Sequence, residues 1–334
     1  MFSVVFKNDL NENDIKDWKC LWECSKYKRV YNSYEWYNSC KRNFKGKYLA
    51  LYVYRDNELV AILPFKVLFG KVYVSPGGRF IDKNSNLFKE NNNLINFVIK
   101  KQLKNKIIIF KEVPEEELKF YDDEYYCKMS SINPYAKIDE NLSVISKRAM
   151  KNISKILSEN NGDFLLKVYK GNNIRNNINT AFEIEKNSNK VKKHRTIFNN
   201  KKVCNFFYDI LSYEGTRLFV LKYKGNSIAH TLDFLNGDYL LGCHTAYLDE
   251  YSKLLPGKIL TYFVMHYCFE NNILKYDFSR GECNKKNQFA KDKAYNYNLI
   301  YCGRCLKLIL KVYYKVICLM KMTKRYLKKY RIVR

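Results

Sequence analysis

Residues 218–247 read LFVLKYKGNSIAHTLDFLNGDYLLGCHTAY. Two turn signals divide it, KGN at residues 224–226 and NG at residues 236–237. Glycine and asparagine tolerate positive φ, so such pairs are typical of tight hairpins. The alternating apolar segments on either side therefore predict three successive antiparallel strands.

The next segment predicts a helix and one further strand. LLPGK at residues 254–258 opens the helix, a strand follows at residues 274–279, and a polar loop covers residues 280–286. Free backbone N–H groups and the helix dipole favour an anion at a helix N-terminus. A meander that leads into such a helix, with a strand beside it, is therefore a suitable place to hold a pyrophosphate.

Three motifs carry a family resemblance: LxYxGxxIA from residue 221, AYxDxYSxxxPGxxL from residue 246 and YDFxRGxxxxKxxFA from residue 276. Together they resemble the GNAT-superfamily acyltransferases of the CelD-like (cellulose-biosynthesis-type) branch, which are similar in fold to the Fem aminoacyl ligases. The family usually has Ser-Pro-Gly before its helix and Tyr-Lys in the last loop. This chain has LPG and Lys285-Lys286 there, so that Lys285 competes with Lys286 for the same role.

The resemblance implies an enzyme, an N-acyltransferase that moves an acyl group, expected to be acetyl, from acyl-CoA to an amine. The implied acceptor is an amino sugar or a related precursor of a surface polysaccharide or lipid. Acyl-CoA (acetyl-CoA) is then a co-substrate, and no metal is expected. The predicted helix start places the donor at Leu255, Pro256, Gly257 and Lys258.

Two histidines are candidate general bases. Acyl transfer to an amine needs N–H donors on the carbonyl, a base for the amine and a leaving thiolate. His230 and His244 lie on the second and third predicted strands, and imidazole titrates near the working pH. With a two-residue turn at residues 236–237, they are expected near each other but on opposite faces, so that one of them faces the cleft. Which one does so is left open, and a structural role is the alternative.

The loop after the last strand supplies further candidates, which match the family pattern. Lys286 and Asp277 are predicted to be catalytic, with Lys286 contacting a phosphate or carboxylate. Asp277 has an ion pair with Arg280 as its alternative. Arg280, Tyr247 and Asp233 are predicted to bind substrate, because an arginine can clamp a carboxylate or phosphate through two hydrogen bonds.

Composition favours a folded protein of the cytoplasm. The 334 residues, 47% hydrophobic and 16% aromatic, suffice for about two domains. The 11 cysteines are irregularly spaced, which favours reduced thiols over a disulfide framework. Neither a secretory signal nor a transmembrane run is evident. We therefore expect a cytoplasmic protein, with a peripheral position on the inner membrane face as the alternative.

The formal net charge of +27 favours anionic partners. No nucleic-acid-binding motif is present, so nucleic acid is not the expected partner. The resemblance implies a small-molecule or lipid-linked amine acceptor. Residues 306–330 predict a basic amphipathic helix. It either packs on its own domain or lies on an anionic membrane surface.

The two halves share one layout. Strands at residues 48–53 and 60–65, a helix at 87–103 and a strand at 107–110 recur about 170 residues later. Together with the family resemblance, this layout predicts an α/β (α+β) fold of two tandem GNAT-like domains, each a mixed, largely antiparallel sheet flanked by helices. Two unrelated αβ segments are the alternative.

The predicted divisions are residues 1–140, 141–305 and a basic tail, 306–334. The first domain is expected to be the acceptor platform and scaffold, and the second to carry acyltransfer. Two other functions stay open. One is a Fem-like ligase using aminoacyl-tRNA, which the charge fits although no sustained heptads predict a coiled-coil insertion. The other is a non-catalytic, membrane-associated scaffold.

Overall fold

The computed structural model describes residues 2–89, 94–192, 196–303 and 307. Its strands are β1 Phe2–Lys7, β2 Lys47–Arg55, β3 Glu58–Leu68, β4 Val72–Val74, β5 Leu87–Phe88, β6 Ile107–Pro114, β7 Tyr125–Lys137, β8 Phe164–Tyr169, β9 Thr216–Tyr223, β10 Asn226–Asn236, β11 Tyr239–Tyr247, β12 Lys275–Asp277 and β13 Asp292–Tyr301. Its α-helices are α1 Glu12–Cys24, α2 Tyr34–Asn43, α3 Leu94–Gln102, α4 Lys147–Glu159, α5 Asn172–Lys186, α6 Asn189–Lys192, α7 Lys201–Ile210 and α8 Pro256–Glu270. The predicted tail falls outside the described residues, apart from Lys307.

All the described strands belong to one mixed sheet. Its order is β1-β2-β3-β4-β6-β13-β7-β12-β11-β10-β9-β8, and β5 pairs with β3. The pairs β4/β6 and β11/β12 are parallel, and the other described pairs are antiparallel. The predicted mixed, largely antiparallel α/β architecture is therefore confirmed.

The strand order repeats from the two ends of the sheet. β1-β2-β3-β4-β6 corresponds to β8-β9-β10-β11-β12, and the parallel pair closes the run in both halves. The last strand of each half is exchanged, since β13 lies beside β6 and β7 lies beside β12. The tandem arrangement is thus confirmed as a fold, while the division at residues 140/141 stays a prediction.

The predicted hairpins form where the turn residues indicated them. Gly225 has φ 81° and Gly237 has φ 63°, which are left-handed conformations that glycine adopts without a Cβ clash. β10 consequently pairs with β9 on one side and with β11 on the other. The three-stranded meander predicted from residues 218–247 is confirmed.

Helices cover both faces of this meander. The apolar side of α8, including Ile259, Val264 and Met265, is fully buried with Leu221 and Leu240 of the sheet. α5 and α7 pack on the opposite face. Burying the apolar side of α8 places its N-terminus beside the ends of β11 and β12. Within the described residues, no helix combines the length and apolar character that crossing a bilayer requires.

Candidate functional site

A cavity of about 520 Å³ opens where β11 and β12 separate. The two strands pair only from Tyr239↔Lys275 to Leu241↔Asp277. β11 continues to Tyr247 although β12 ends, and residues 242–245 of β11 line the cavity. A strand edge without a partner presents backbone N–H and C=O groups. This edge can therefore hydrogen-bond an extended ligand.

The second turn of α8 lines the same cavity through Leu260 and Thr261, whereas the predicted donor residues Leu255, Pro256, Gly257 and Lys258 lie one turn earlier and are not among the lining residues. Leu255 takes the left-handed conformation, with φ 51°, and its carbonyl accepts the N–H of Lys258 at 2.8 Å. Pro256 follows at the first helical turn, where its missing N–H costs nothing. At Gly257 an added Cβ would lie 2.5 Å from Nζ of Lys285. The absence of a side chain at Gly257 therefore lets a lysine amine reach the first turn of the helix.

Lys285 is a cavity-lining amine without a local counter-ion. Among the described residues it has neither a hydrogen-bond acceptor nor a carboxylate partner. Burial, together with the charges of Lys190, Lys258 and Lys286, lowers the pKa of Lys285 to about 8. A cation at the positive end of a helix is also electrostatically disfavoured. An anion bound here would relieve both effects.

Lys286, the predicted phosphate or carboxylate contact, is held differently. It lines the cavity, but its Nζ donates to the carbonyls of Ser279 and Arg280 at 3.0 and 2.8 Å. Burial lowers its pKa. Lys286 therefore fixes the loop that follows β12, and its proposed contact with a ligand stays a prediction.

His230 and His244 lie on the same face of the sheet, so the prediction of opposite faces is wrong. A bulge at Cys243 inserts one extra residue in β11, and His230 consequently pairs with Ala246. Inserting one residue moves every later side chain of a strand to the other face. The two imidazole rings stack with their centroids 5.4 Å apart.

The two histidines have different surroundings. His244 lines the cavity, and its Nε2 lies 2.7 Å from Oε1 of Glu185 and 2.9 Å from Nζ of Lys190. Burial lowers its pKa, and Glu185 opposes that shift. His230 is fully buried, and neither of its ring nitrogens has a partner among the described residues. Burial lowers the pKa of His230 well below its ordinary value, so His230 is neutral and His244 is the stronger candidate base.

Glu185 is a site residue that the sequence analysis missed. Its buried carboxylate also accepts the backbone N–H groups of Ile197 and Phe198 at 3.1 and 2.8 Å. It therefore connects the segment after α6 to the His244 ring. In the sequence Glu185 is one of two acids in α5, with Glu183, and only the tertiary contact distinguishes it.

Asp277, predicted to be catalytic, pairs with Lys83, and the alternative of an ion pair with Arg280 is wrong. Oδ2 of Asp277 lies 3.0 Å from Nζ of Lys83, and Oδ1 accepts the N–H of Ser279 at 2.9 Å. Both charged side chains are buried. Arg280 instead places its Nε 2.8 Å from Oδ1 of Asp82. Asp277 thus holds the two halves together and does not line the cavity.

The first half contributes a wall of the cavity. Arg79, Phe80 and Asp82 line it, from a loop that the sequence showed only as a long polar stretch. Ser279 donates its hydroxyl to Asp82, whose pKa is raised by burial to about 6. The site is therefore assembled from both halves of the chain.

The equivalent cleft of the first half is filled by its own loop. The N–H of Ser75 donates to the carbonyl of Ile109 at 3.1 Å, and the N–H of Lys111 donates to Oγ of Ser75 at 3.3 Å. The N–H of Asn84 donates to the carbonyl of Glu112 at 2.9 Å. These bonds occupy the part of β6 that extends past its pairing with β4. The cleft of the first half is therefore closed to a ligand, which supports a donor site in the second half.

Asp233 and Tyr247, predicted to bind substrate, do not line the cavity. Asp233 is fully buried behind two lining residues, accepting the hydroxyls of Thr231 at 2.6 Å and Tyr276 at 3.1 Å. Burial raises its pKa to about 7. Tyr247 lies at the end of β11, with Cδ1 3.4 Å from the position a Cβ on Gly257 would take. Both residues support the cavity from outside its surface.

Replacing Asp233 by asparagine should remove a pH-dependent loss of stability. The pKa of about 7 in the folded chain exceeds the ordinary value of 3.8, so the folded state holds this proton more tightly. The resulting stabilisation is complete below pH 4 and is lost as the pH rises through 7. Urea unfolding between pH 4 and 8 measures it. If the free energies of unfolding of the variant and the wild type fall in parallel as the pH rises, the carboxyl of Asp233 does not have a raised pKa.

Comparisons with known proteins agree with this geometry. Residues 176–287 match the family described as acetyltransferase (GNAT) domain. The fold is similar to FemX, with 12% identity and a TM-score of 0.62 over 92% of this chain and 99% of that one. It is also similar to the C-terminal domain of a candidate lysylphosphatidylglycerol synthetase from Agrobacterium fabrum, with 10% identity and a TM-score of 0.61 over 90% and 94%.

A third structure shares the tandem layout. It is a tandem GNAT protein from the clavulanic acid biosynthesis pathway, with 10% identity and a TM-score of 0.51 over 91% of this chain and 99% of that one. No curated protein matches the chain in sequence. At these identities the structural likenesses show the fold alone, and the CelD-like branch stays a prediction. Residues 176–287 thus match a GNAT acetyltransferase domain, within a fold similar to those of FemX and of a tandem GNAT protein.

Proposed function

We propose that the protein is an acyl-CoA-dependent N-acyltransferase whose donor binds in the cavity between β11 and β12. The observation that carries this proposal is the unpaired edge of β11, residues 242–245, beside the start of α8. Amide groups of an extended pantetheine arm can pair with a free strand edge as an added strand does. The first turn of α8 and the amine of Lys285 suit the pyrophosphate.

The residues at the cavity can divide the chemistry among themselves. Backbone N–H groups of β11 within residues 242–245 polarise the acyl carbonyl, except that of Cys243, which donates to Oδ1 of Asp233. His244, oriented by Glu185, takes the proton of the attacking amine, directly or through a water molecule. The amine nitrogen bonds to the acyl carbon, the C–S bond breaks, and the sulfur leaves with the electron pair. Lys285 lines the same cavity, and its amine can stabilise the thiolate or the phosphates.

The acceptor we propose is the amine of an amino sugar or a related precursor of a surface polysaccharide or lipid. Arg79 and Phe80 of the first half face the cavity and suit this role. The transferred group is proposed to be acetyl. A cytoplasmic protein, peripheral to the inner membrane face, would meet lipid-linked acceptors of this kind.

Titration calorimetry with CoA and acetyl-CoA tests the donor. We expect a dissociation constant below ~1 mM, the upper end of ordinary enzyme–substrate affinities. His244→Gln should retain CoA binding while acetyl transfer to glucosamine-type amines falls about 100-fold, since general bases contribute 10²–10⁴. Absence of CoA binding by the folded wild type at ~1 mM would remove the proposal.

The same assay separates the second candidate, a Fem-like ligase. Its support is the similarity in fold to FemX and the excess of cations at the cavity. Aminoacyl-tRNA is supplied in place of acetyl-CoA, with the same amine acceptors. Transfer from aminoacyl-tRNA without CoA binding would favour the ligase. Failure of both donors would favour the third candidate, a non-catalytic scaffold.

A further inference from the structure

A second groove, of about 400 Å³, lies in the first half against the wall of the main cavity. Its sides come from β3, from β6, from the loop after β4 and from the start of α7. Arg79 and Phe80 line both the groove and the cavity. A ligand seated in the groove therefore lies next to the site where the acyl group is proposed to react.

The groove is lined by cations without acids. Lys66, Arg79, Lys111 and Lys202 contribute to it, and none of its lining residues is acidic. Within the described parts of the chain, none of these four side chains has a carboxylate partner. In contrast, Arg280 at the main cavity is paired with Asp82. Four cations from separate segments, left without counter-ions, create a positive field at the groove that favours an anionic ligand.

The backbone at the groove also suits an anion. Gly77 and Gly78 have φ of 107° and 57°, and a Cβ on Gly78 would meet nothing within 4 Å. Successive glycines in such conformations let a phosphate approach backbone N–H groups closely. The space beside Gly77 is filled by Trp36, because a Cβ on Gly77 would lie 2.6 Å from the Trp36 ring. The Ser-Pro-Gly-Gly segment is thereby fixed with Gly78 open to the groove.

Aromatic side chains adjoin the charged part of the groove. The rings of Phe44 and Phe80 are stacked, with centroids 5.9 Å apart and an angle of 17° between their planes. Nζ of Lys66 lies over the ring of Tyr48, 5.6 Å from the ring centroid. An apolar or planar group would therefore fit beside the charged part of the groove.

We propose that the groove binds the diphosphate of the acceptor, so that the substrate is an amine carried on a diphosphate ester. This inference rests on the proposed function and names its acceptor class. The diphosphate lies among the four cations, and the amine passes Arg79 and Phe80 into the cavity. A nucleoside diphosphate and an isoprenoid diphosphate share this chemistry.

Calorimetry with inorganic pyrophosphate tests the groove in the full chain, in the presence of saturating CoA so that the donor site is filled. Lys66→Ala/Lys111→Ala should weaken pyrophosphate binding at least tenfold, because two charge-assisted hydrogen bonds are lost. The control Lys167→Ala/Lys170→Ala removes the same charge from the opposite edge of the sheet and should change affinity less than about twofold. CoA affinity should be unchanged in both variants.

The outcomes distinguish this inference from the proposed function. If wild type binds CoA and the groove variant binds pyrophosphate as tightly as wild type does, the groove inference is overturned and the donor proposal stands. If CoA does not bind, the donor proposal fails. Pyrophosphate binding of the same variants is then compared in the absence of CoA, and equal affinities of wild type and groove variant again overturn the groove inference. Tighter binding of uridine diphosphate than of pyrophosphate assigns a nucleotide-linked acceptor, and tighter binding of farnesyl diphosphate assigns a lipid-linked one.

Discussion

Replacing Lys83 by methionine is expected to lower the free energy of unfolding by about 3–5 kcal/mol, the usual cost of removing one partner of a buried ion pair. The ammonium of Lys83 lies 3.0 Å from the carboxylate of Asp277, whose side chain is fully buried. Methionine fills a similar volume but leaves that carboxylate with a single described donor, the N–H of Ser279. The loss comes from the unpaired charge and not from a cavity.

Urea unfolding at pH 7 measures the effect, and two further variants make it specific. Lys89→Met removes a lysine whose partner, Glu58, is mostly exposed, so the loss there should be below about 1 kcal/mol. Adding Asp277→Asn to Lys83→Met should recover part of the stability, because the unpaired charge is gone. Equal losses for Lys83→Met and Lys89→Met would show that the pair between the halves is not effectively buried.

Replacing Lys285 by methionine is expected to weaken CoA binding at least tenfold while raising stability at pH 7. The affinity falls because the amine beside Gly257 contributes a charge-assisted hydrogen bond to an anion at the start of α8. The stability rises because the free chain holds a partly buried ammonium without an acceptor. A residue that costs stability and supports binding is typical of a ligand site.

The pH dependence gives Lys285 a separate signature. Its pKa of about 8 in the folded chain lies below the ordinary 10.5, so the unfolded chain binds more protons between these values. Wild-type stability should therefore rise from pH 8 to pH 10, and Lys285→Met should lack that rise. Lys253→Met, at an exposed position before α8, is the control. A variant that is less stable than wild type and binds CoA normally would contradict the role of Lys285.

The meander and the following helix were predictable because their signals are local. The turn sequences Lys-Gly-Asn and Asn-Gly specify where the chain turns, and Pro256-Gly257 specifies where α8 begins. Alternation of apolar residues identifies the strands between them. The repeat of the two halves followed from spacing alone, and the shared strand order confirms it.

The site was less predictable because long-range contacts assemble it. A single bulged residue, Cys243, places His230 and His244 on one face, and no turn signal announces it. Glu185 reaches His244 only when α5 packs on the sheet, and Lys83 reaches Asp277 only when the halves join. These pairs are separated by tens to hundreds of residues, so neither spacing nor periodicity could reveal them.

Local signals were sufficient for the meander, α8 and the shared layout of the halves, because turn residues, helix starts and apolar periodicity act over a few neighbours. The helix predicted at residues 87–103 is shorter, since Leu87–Phe88 form β5 and α3 spans Leu94–Gln102. Only the tertiary structure decided which polar groups share the cavity. It decided the exchange of β7 and β13, the filling of the first cleft by its own loop, and the partners of Asp277 and Arg280. The physical reason is that a buried charge takes whichever counter-ion the packed sheet brings within reach, and packing depends on the whole chain at once.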